Sequence, residues 1–310
     1  WLQTESRGQE SLSGTTPANV WGWYALPHIA SFYCTMGGAP PIPTNCDTTK
    51  ILADAAPLIT PHFTPAQQSL VVVFTSAFPI AVTGPPPFIW AGCHPNSFPS
   101  FPGGLDLSML MHEGGHAQPE KLFHADAWIC PGGDAGPDYF NLTRGGCTVQ
   151  SYGDTYDPMG AFWSADPVKN AADHYSTYLR DRLGWQGQSN IRWVYGSQTV
   201  SVTRSDIQTT AVQEIRIPIT VDGAFFYTLE YRSGVGVFIR LALPRTVVPG
   251  GPIAPANTWT ADTMLLNGAY PASPVITSIN PFVDTYRGIT VAFVSSDATS
   301  ATVSITKTCI

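Results

Sequence analysis

The chain has 310 residues, enough to bury a substantial core as one large domain or two smaller ones. Fifteen lysines and arginines against 22 aspartates and glutamates leave a net charge of −7 with no basic run, which argues against nucleic acid or an anionic membrane surface as partner. Only 12% of residues are charged while glycine and proline number 28 each, a balance that predicts a loop-rich, β-rich protein rather than a helical bundle, and no run of about twenty apolar residues predicts a membrane span.

In chain order, the aromatic run Val20-Trp21-Gly22-Trp23-Tyr24-Ala25-Leu26 suits a strand. Cys34 and Cys46 enclose two glycines and two prolines, the composition of a stapled loop. Apolar residues at Ile51, Leu52, Ala55 and Ala56 predict a short helix over Thr48–Leu58, closed by Pro57 and Pro61. Ser69–Thr75 is a β-branched run expected as a strand buried on both faces, and Phe88–His94 is expected as a second strand. A helix from Leu105 to about Ala117 is apolar on nearly every side and ends before Pro119. Gly114 and Gly115 lie inside it, each costing about 1 kcal/mol relative to alanine, so close approach of a backbone or a substrate is their expected reason. Asp166-Pro167 reads as the start of a further helix, which Gly184 closes. From 190 to 310, short alternating segments such as Glu214–Ile217, Phe225–Glu230 and Ala301–Ile305 predict an antiparallel β-sandwich.

None of the six cysteines forms a CxxC pair, so up to three disulfides is the natural reading. Six cysteines allow fifteen pairings; locality favours Cys34 with Cys46 and Cys130 with Cys147, leaving Cys93 with Cys309. Asn141-Leu142-Thr143 is a glycosylation sequon, and with the disulfides it points to a secreted, extracellular protein. The chain begins at Trp1, so a leader or propeptide is expected to have been removed.

The chemistry concentrates in His112-Glu113-Gly114-Gly115-His116. On a helix, His112 and His116 at i and i+4 share one face and can meet one Zn²⁺, while Glu113 is placed as general base. His124 follows eight residues after His116 and is the expected third ligand, with Asp126 and Glu120 as alternatives. Calcium is a second candidate ion, among Asp134, Asp138, Asp154 and Asp157. Tyr152, Tyr156 and Tyr175 are candidates for an oxyanion helper, against the plainer reading that each is core packing.

HEGGH at 112–116, His124-Ala125, YGDTYDPMG at 152–160, Asn170-Ala171 running into Leu183-Gly184-Trp185, and Leu229-Glu230-Tyr231-Arg232 together resemble the gametolysin family of secreted metzincin metallopeptidases. The residues from Ser11 to His28 also resemble that family's strand region. The resemblance implies an α+β chain, with a metzincin-like zinc catalytic domain over 1–187 and a β-sandwich domain over 188–310. It implies His112, His116 and His124 as zinc ligands, Glu113 as catalytic base, Met159 as the non-ligating Met-turn residue, and protein or glycoprotein substrates of an extracellular matrix or cell wall. Two departures stand out. The common metzincin spacing places a glycine and a third histidine within six residues of the second, whereas here seven residues without glycine intervene. Only about ten residues precede the Ser11–His28 region, so either the chain tolerates the loss of the family's first strand and helix or a separate N-terminal chain carrying them is a bound partner. The alternative function is a metzincin-like binding protein or lectin with little or no proteolytic activity.

Overall fold

A computed structural model describes residues 6–7, 25–37, 42–59, 70–74, 82–83, 88–92, 111–112, 114–116, 118, 122–129, 148–160, 174–243, 261–267 and 275–308. Strands dominate these residues and helices are few. None of the described helices is long and apolar enough to cross a membrane. Contacts gather the chain into two units, 11–121 and 1–10 with 122–310.

In the unit 11–121, helix α1 (Ala30–Tyr33) leads into an antiparallel pair, β1 (Cys34–Gly37) and β2 (Ile42–Cys46). Cys34 is disulfide-bonded and stands opposite Cys46 in that ladder. Helix α2 (Thr48–Ile59) starts where the Asp47 carboxylate accepts the Lys50 N–H, and it buries Ile51 and Ala55, one turn apart. The helix ends one residue beyond the expected Thr48–Leu58 and carries Pro57 in its last turn. A second sheet follows the order β3 (Leu70–Phe74), β5 (Phe88–Gly92), β4 (Val82–Thr83); β3 and β5 are parallel, as a β-branched run suggests. Residues 111, 112 and 114–116 are helical. The strand expected over Val20–Leu26 lies mostly outside the described residues, and Ala25 and Leu26 are not in a strand.

The second unit is built on two sheets. The larger has seven strands in the order β7 (Thr148–Gln150), β6 (His124–Ile129), β13 (Ala261–Asn267), β12 (Gly236–Ala242), β11 (Phe226–Arg232), β10 (Glu214–Pro218), β8 (Ile191–Trp193). The smaller has the order β14 (Phe282–Asp284), β15 (Ile289–Ser296), β16 (Ser300–Lys307), β9 (Gln198–Thr203). Alternate residues from both enter one apolar core: Val200 and Val202, Val303 and Ile305 from the smaller sheet, and Leu229, Ile239 and Met264 from the larger. This is the expected sandwich, but the larger sheet is mixed rather than antiparallel, because β6 runs parallel to β13 and β8 parallel to β10. The boundary expected at 187/188 also does not divide this sheet, since β6 and β7 precede it and pair into the same ladder as β13. The physical reason is that β6 is buried on both faces from Ala125 to Trp128 and needs a neighbour on each side for its backbone.

The outer face of the larger sheet is covered rather than solvated. Helix α3 (Thr177–Arg182) and the loop 151–160 lie over it, with Leu122, Ala125, Met159, Tyr175, Tyr178, Leu179, Trp185, Phe226 and Ala242 forming one apolar cluster. Asp166-Pro167 was the expected start of this helix. Residues 161–173 lie outside the described ones, and Tyr175 and Ser176 are not helical, so α3 begins at Thr177. Its first N–H groups are met from a distance: Asp157 Oδ2 accepts Ser176 N–H at 2.7 Å and Glu230 Oε2 accepts Thr177 N–H at 2.9 Å. Gly184 closes it as expected, with φ +75° and Trp185 N–H returning to the Arg180 carbonyl at 2.8 Å.

Candidate metal centre

His112 and His116 lie among the helical residues 111, 112 and 114–116, four positions apart, their rings edge to face with centroids 4.9 Å apart. His124 is the first residue of β6, so the extra residues between it and His116 end in a strand rather than a loop. One nitrogen from each of His112, His116 and His124 can be chosen so that all three lie within 4.8 Å of one another. His112 is buried, and the other two are half-buried. Three converging imidazoles form a nitrogen donor set suited to zinc and related borderline metals. Among the described residues this is the group of His, Cys, Asp or Glu side chains that can hold a metal ion.

The loop 151–160 is fixed against His124 by its backbone. Ala125 N–H donates to the Met159 carbonyl at 2.9 Å, and Asp154 N–H donates to the Ala125 carbonyl at 3.2 Å. Two glycines permit this approach. A Cβ on Gly153 would lie 2.6 Å from Ala127 Cβ, and one on Gly160 would lie 1.8 Å from the Asp154 carbonyl oxygen. Met159 is fully buried and packs in the cluster that holds Leu122 and Ala125, on either side of the His124 region. Tyr152 takes a left-handed backbone, φ +58°, with its N–H donated to Asp126 Oδ1 at 2.8 Å. Its ring lies against His124, centroids 4.0 Å apart. Tyr156 and Tyr175 are buried in apolar clusters, the plainer of their two readings. Asp126, the alternative ligand, is buried and engaged by Tyr152; burial pushes its carboxyl up, against the pull of that N–H.

Beneath the loop lies a buried layer of charge. Asp154 Oδ2 accepts Arg240 Nε at 2.5 Å, and Asp154 Oδ1 accepts Tyr156 N–H at 3.0 Å. Arg240 donates also to Glu230 Oε1 at 2.8 Å, which Arg232 Nε shares at 3.0 Å. Arg232 reaches on to the carbonyls of Tyr156 and, at 3.1 Å, His174. Asp157 accepts Met159 N–H at 2.8 Å and Ser176 N–H at 2.7 Å. Burial, and then the adjacent Asp154, push Asp157 up to about 6 despite Arg240 and those two N–H groups. Burial would raise Glu230 too, but Arg232 and Arg240 outweigh it and hold the carboxyl at about 2.

These contacts correct the calcium expectation at Asp154 and Asp157: both carboxylates are fully buried and committed to Arg240 and to backbone N–H groups, which leaves a hard cation neither access nor oxygen ligands. Asp134 and Asp138 lie outside the described residues, as do Glu113, Glu120, Asn141, Cys93, Cys130, Cys147 and Cys309. Arg240 was not legible as a site residue, since a lone arginine in an alternating strand reads as a solvent-facing position. Comparison of the chain with protein-family models, with curated proteins and with solved structures finds no match.

Proposed function

We propose that the chain is a secreted zinc metalloendopeptidase of metzincin type, acting on extracellular or cell-wall proteins and glycoproteins. The observation that carries this reading is the convergence of His112, His116 and His124, three imidazoles spaced in sequence around an intact Glu113. A three-histidine set leaves an open coordination position, the pattern of catalytic rather than structural zinc sites. Zinc held there supplies Lewis acidity toward water and toward the scissile carbonyl.

The protein side of the chemistry falls to few groups. The Glu113 carboxylate takes the proton of the attacking water and delivers it to the leaving amine, a role that a merely structural metal site does not require. The buried Met159 and the loop 151–160, fastened to Ala125 through two backbone bonds, hold His124 in place with the Tyr152 ring against it. Among the described residues no atom lies within 4 Å of where a Cβ on Gly114 would sit, which leaves room there for an approaching substrate backbone.

The test is zinc content together with hydrolysis of a casein substrate for the wild type, Glu113→Gln and His124→Ala. Glu113→Gln is expected to keep one zinc and lose at least about a hundredfold in kcat, the usual scale for a general base. His124→Ala is expected to lose zinc. A Glu113→Gln variant that holds zinc and cleaves at the wild-type rate defeats the mechanism.

A further inference from the structure

On the edge of the larger sheet that the metal centre does not use, Trp193 and Tyr195 stand two residues apart on one side of the chain. Their rings are parallel to within 18°, with centroids 6.2 Å apart. Trp193 is fixed from behind, by the edge of Phe226 at 5.1 Å and by the Arg216 guanidinium 5.5 Å from its ring centre. Tyr195 is 70% exposed to solvent. The two rings border a concavity of about 380 Å³, whose other walls are Pro218, the Thr220–Gly223 turn and Lys307. That volume is at the lower end of the range for small-ligand sites.

We propose that this concavity is a binding site for a neutral saccharide unit, independent of the metal centre. A pyranose ring has an apolar C–H face and a rim of hydroxyls, so it needs an aromatic surface flanked by groups that both accept and donate hydrogen bonds. The rings of Trp193 and Tyr195 supply the surface, their electron-rich faces matching the polarised C–H groups. The acceptor is Asp222, exposed at the tip of the turn and oriented there by Thr220 Oγ1 at 2.5 Å and Ala224 N–H at 3.0 Å, both bonded to Oδ1. The donor is Lys307, whose ammonium is held at one point by the Pro218 carbonyl at 2.8 Å and has further protons to give.

Charge and size narrow the class. One carboxylate and one ammonium sum to zero, so the walls offer no net attraction to uronic acids, phosphates or nucleic-acid backbones, and the chain as a whole is negative. A proline-rich peptide also stacks on Trp and Tyr, but it requires a track at least one polyproline turn long, about 9 Å, with aromatic ridges along it. Here two aromatic rings line the concavity, and Pro218, the Thr220–Gly223 turn and Lys307 make up the rest of its wall in place of a longer aromatic track.

The experiment is a calorimetric titration of the intact protein, alongside its tryptophan fluorescence, with neutral tetrasaccharides of glucose, mannose, galactose and xylose. Tetragalacturonate and decaproline serve as the acidic and peptide arms. At least one neutral tetrasaccharide is expected to bind with a Kd of about 1 mM or tighter, and Tyr195→Ala to weaken it about tenfold. Because the Tyr195 ring is largely exposed, the variant is expected to unfold at the wild-type temperature, which separates loss of the site from loss of the fold. Asp222→Asn is expected to weaken the same sugar severalfold. The proposal is overturned if no neutral sugar binds at about 10 mM, if Tyr195→Ala binds as the wild type does, or if tetragalacturonate or decaproline binds more tightly than every neutral sugar.

Discussion

Replacing Glu230 by glutamine tests whether the buried charge layer holds the loop 151–160 by electrostatics or only by shape. Glu230 is 1% exposed and accepts three donors: Arg240 at 2.8 Å, Arg232 at 3.0 Å and the Thr177 N–H at 2.9 Å. Holding its carboxyl at about 2, against an ordinary 4.5, corresponds to about 3 kcal/mol of folding free energy. Removing one partner from a buried ion pair costs about 3–5 kcal/mol, so two independent routes give the same scale. Because the folded pKa is depressed, that stabilisation is complete above about 4.5, where the unfolded chain is also ionised. It is lost as pH falls toward 2, where the folded carboxyl takes up its proton. Urea unfolding in chelator, at steps from pH 7 to pH 3, is the assay. Glu230→Gln is expected to lie about 3 kcal/mol below the wild type at pH 7, with the gap narrowing steadily below about pH 4.5. A gap of the same size at pH 3 and pH 7 refutes the charge argument, and a gap under about 1 kcal/mol at pH 7 refutes the burial argument as well.

The other predictions concern the loop itself. Gly160→Ala places a methyl 1.8 Å from the backbone oxygen of Asp154, which cannot yield without breaking the Asp154–Ala125 bond; a loss of about 2 kcal/mol or more and weakened zinc retention are expected, measured by unfolding and by competition with a chelator. Tyr152→Ala removes the ring 4.0 Å from His124 and is expected to weaken zinc affinity about tenfold, whereas Tyr152→Phe keeps the ring and should stay within about threefold of the wild type. Equal losses for both Tyr152 variants would assign the effect to the hydroxyl instead.

What the sequence reveals here follows from how local each signal is. The sandwich strands at Glu214–Pro218, Phe226–Arg232 and Ser300–Lys307 were legible because alternation has a period of two and needs only its own segment. Ala261–Asn267 was missed because its polar and apolar residues do not alternate, both of its faces being covered. The strand at His124 was missed for a different reason: its parallel partner lies far along the chain, and nothing between His116 and Ile129 announces that pairing. His112, His116 and His124 were readable from spacing and chemistry alone, and their nitrogens do come together. Placing them gave no hint that a residue more than a hundred positions away supports the site.

That distant support explains why the boundary expected after residue 187 does not divide the larger sheet. In β11 and β12, Thr228, Glu230, Arg232 and Arg240 occupy the alternate positions that an isolated sandwich would turn to water, yet all four are buried. Thr228 bonds Glu214 within the sheet, but Glu230, Arg232 and Arg240 reach Asp154, the Tyr156 and His174 carbonyls and the first N–H of α3, all from the segment 154–177. A truncation near 188 would therefore leave two buried arginines and a glutamate facing water on one piece, and Asp154, Asp157 and Met159 without a floor on the other. Unpaired buried charge is among the costliest errors a fold can carry. The loop and the sheet beneath it are, in energetic terms, one structure, and β6, which carries His124, is a strand of that same sheet.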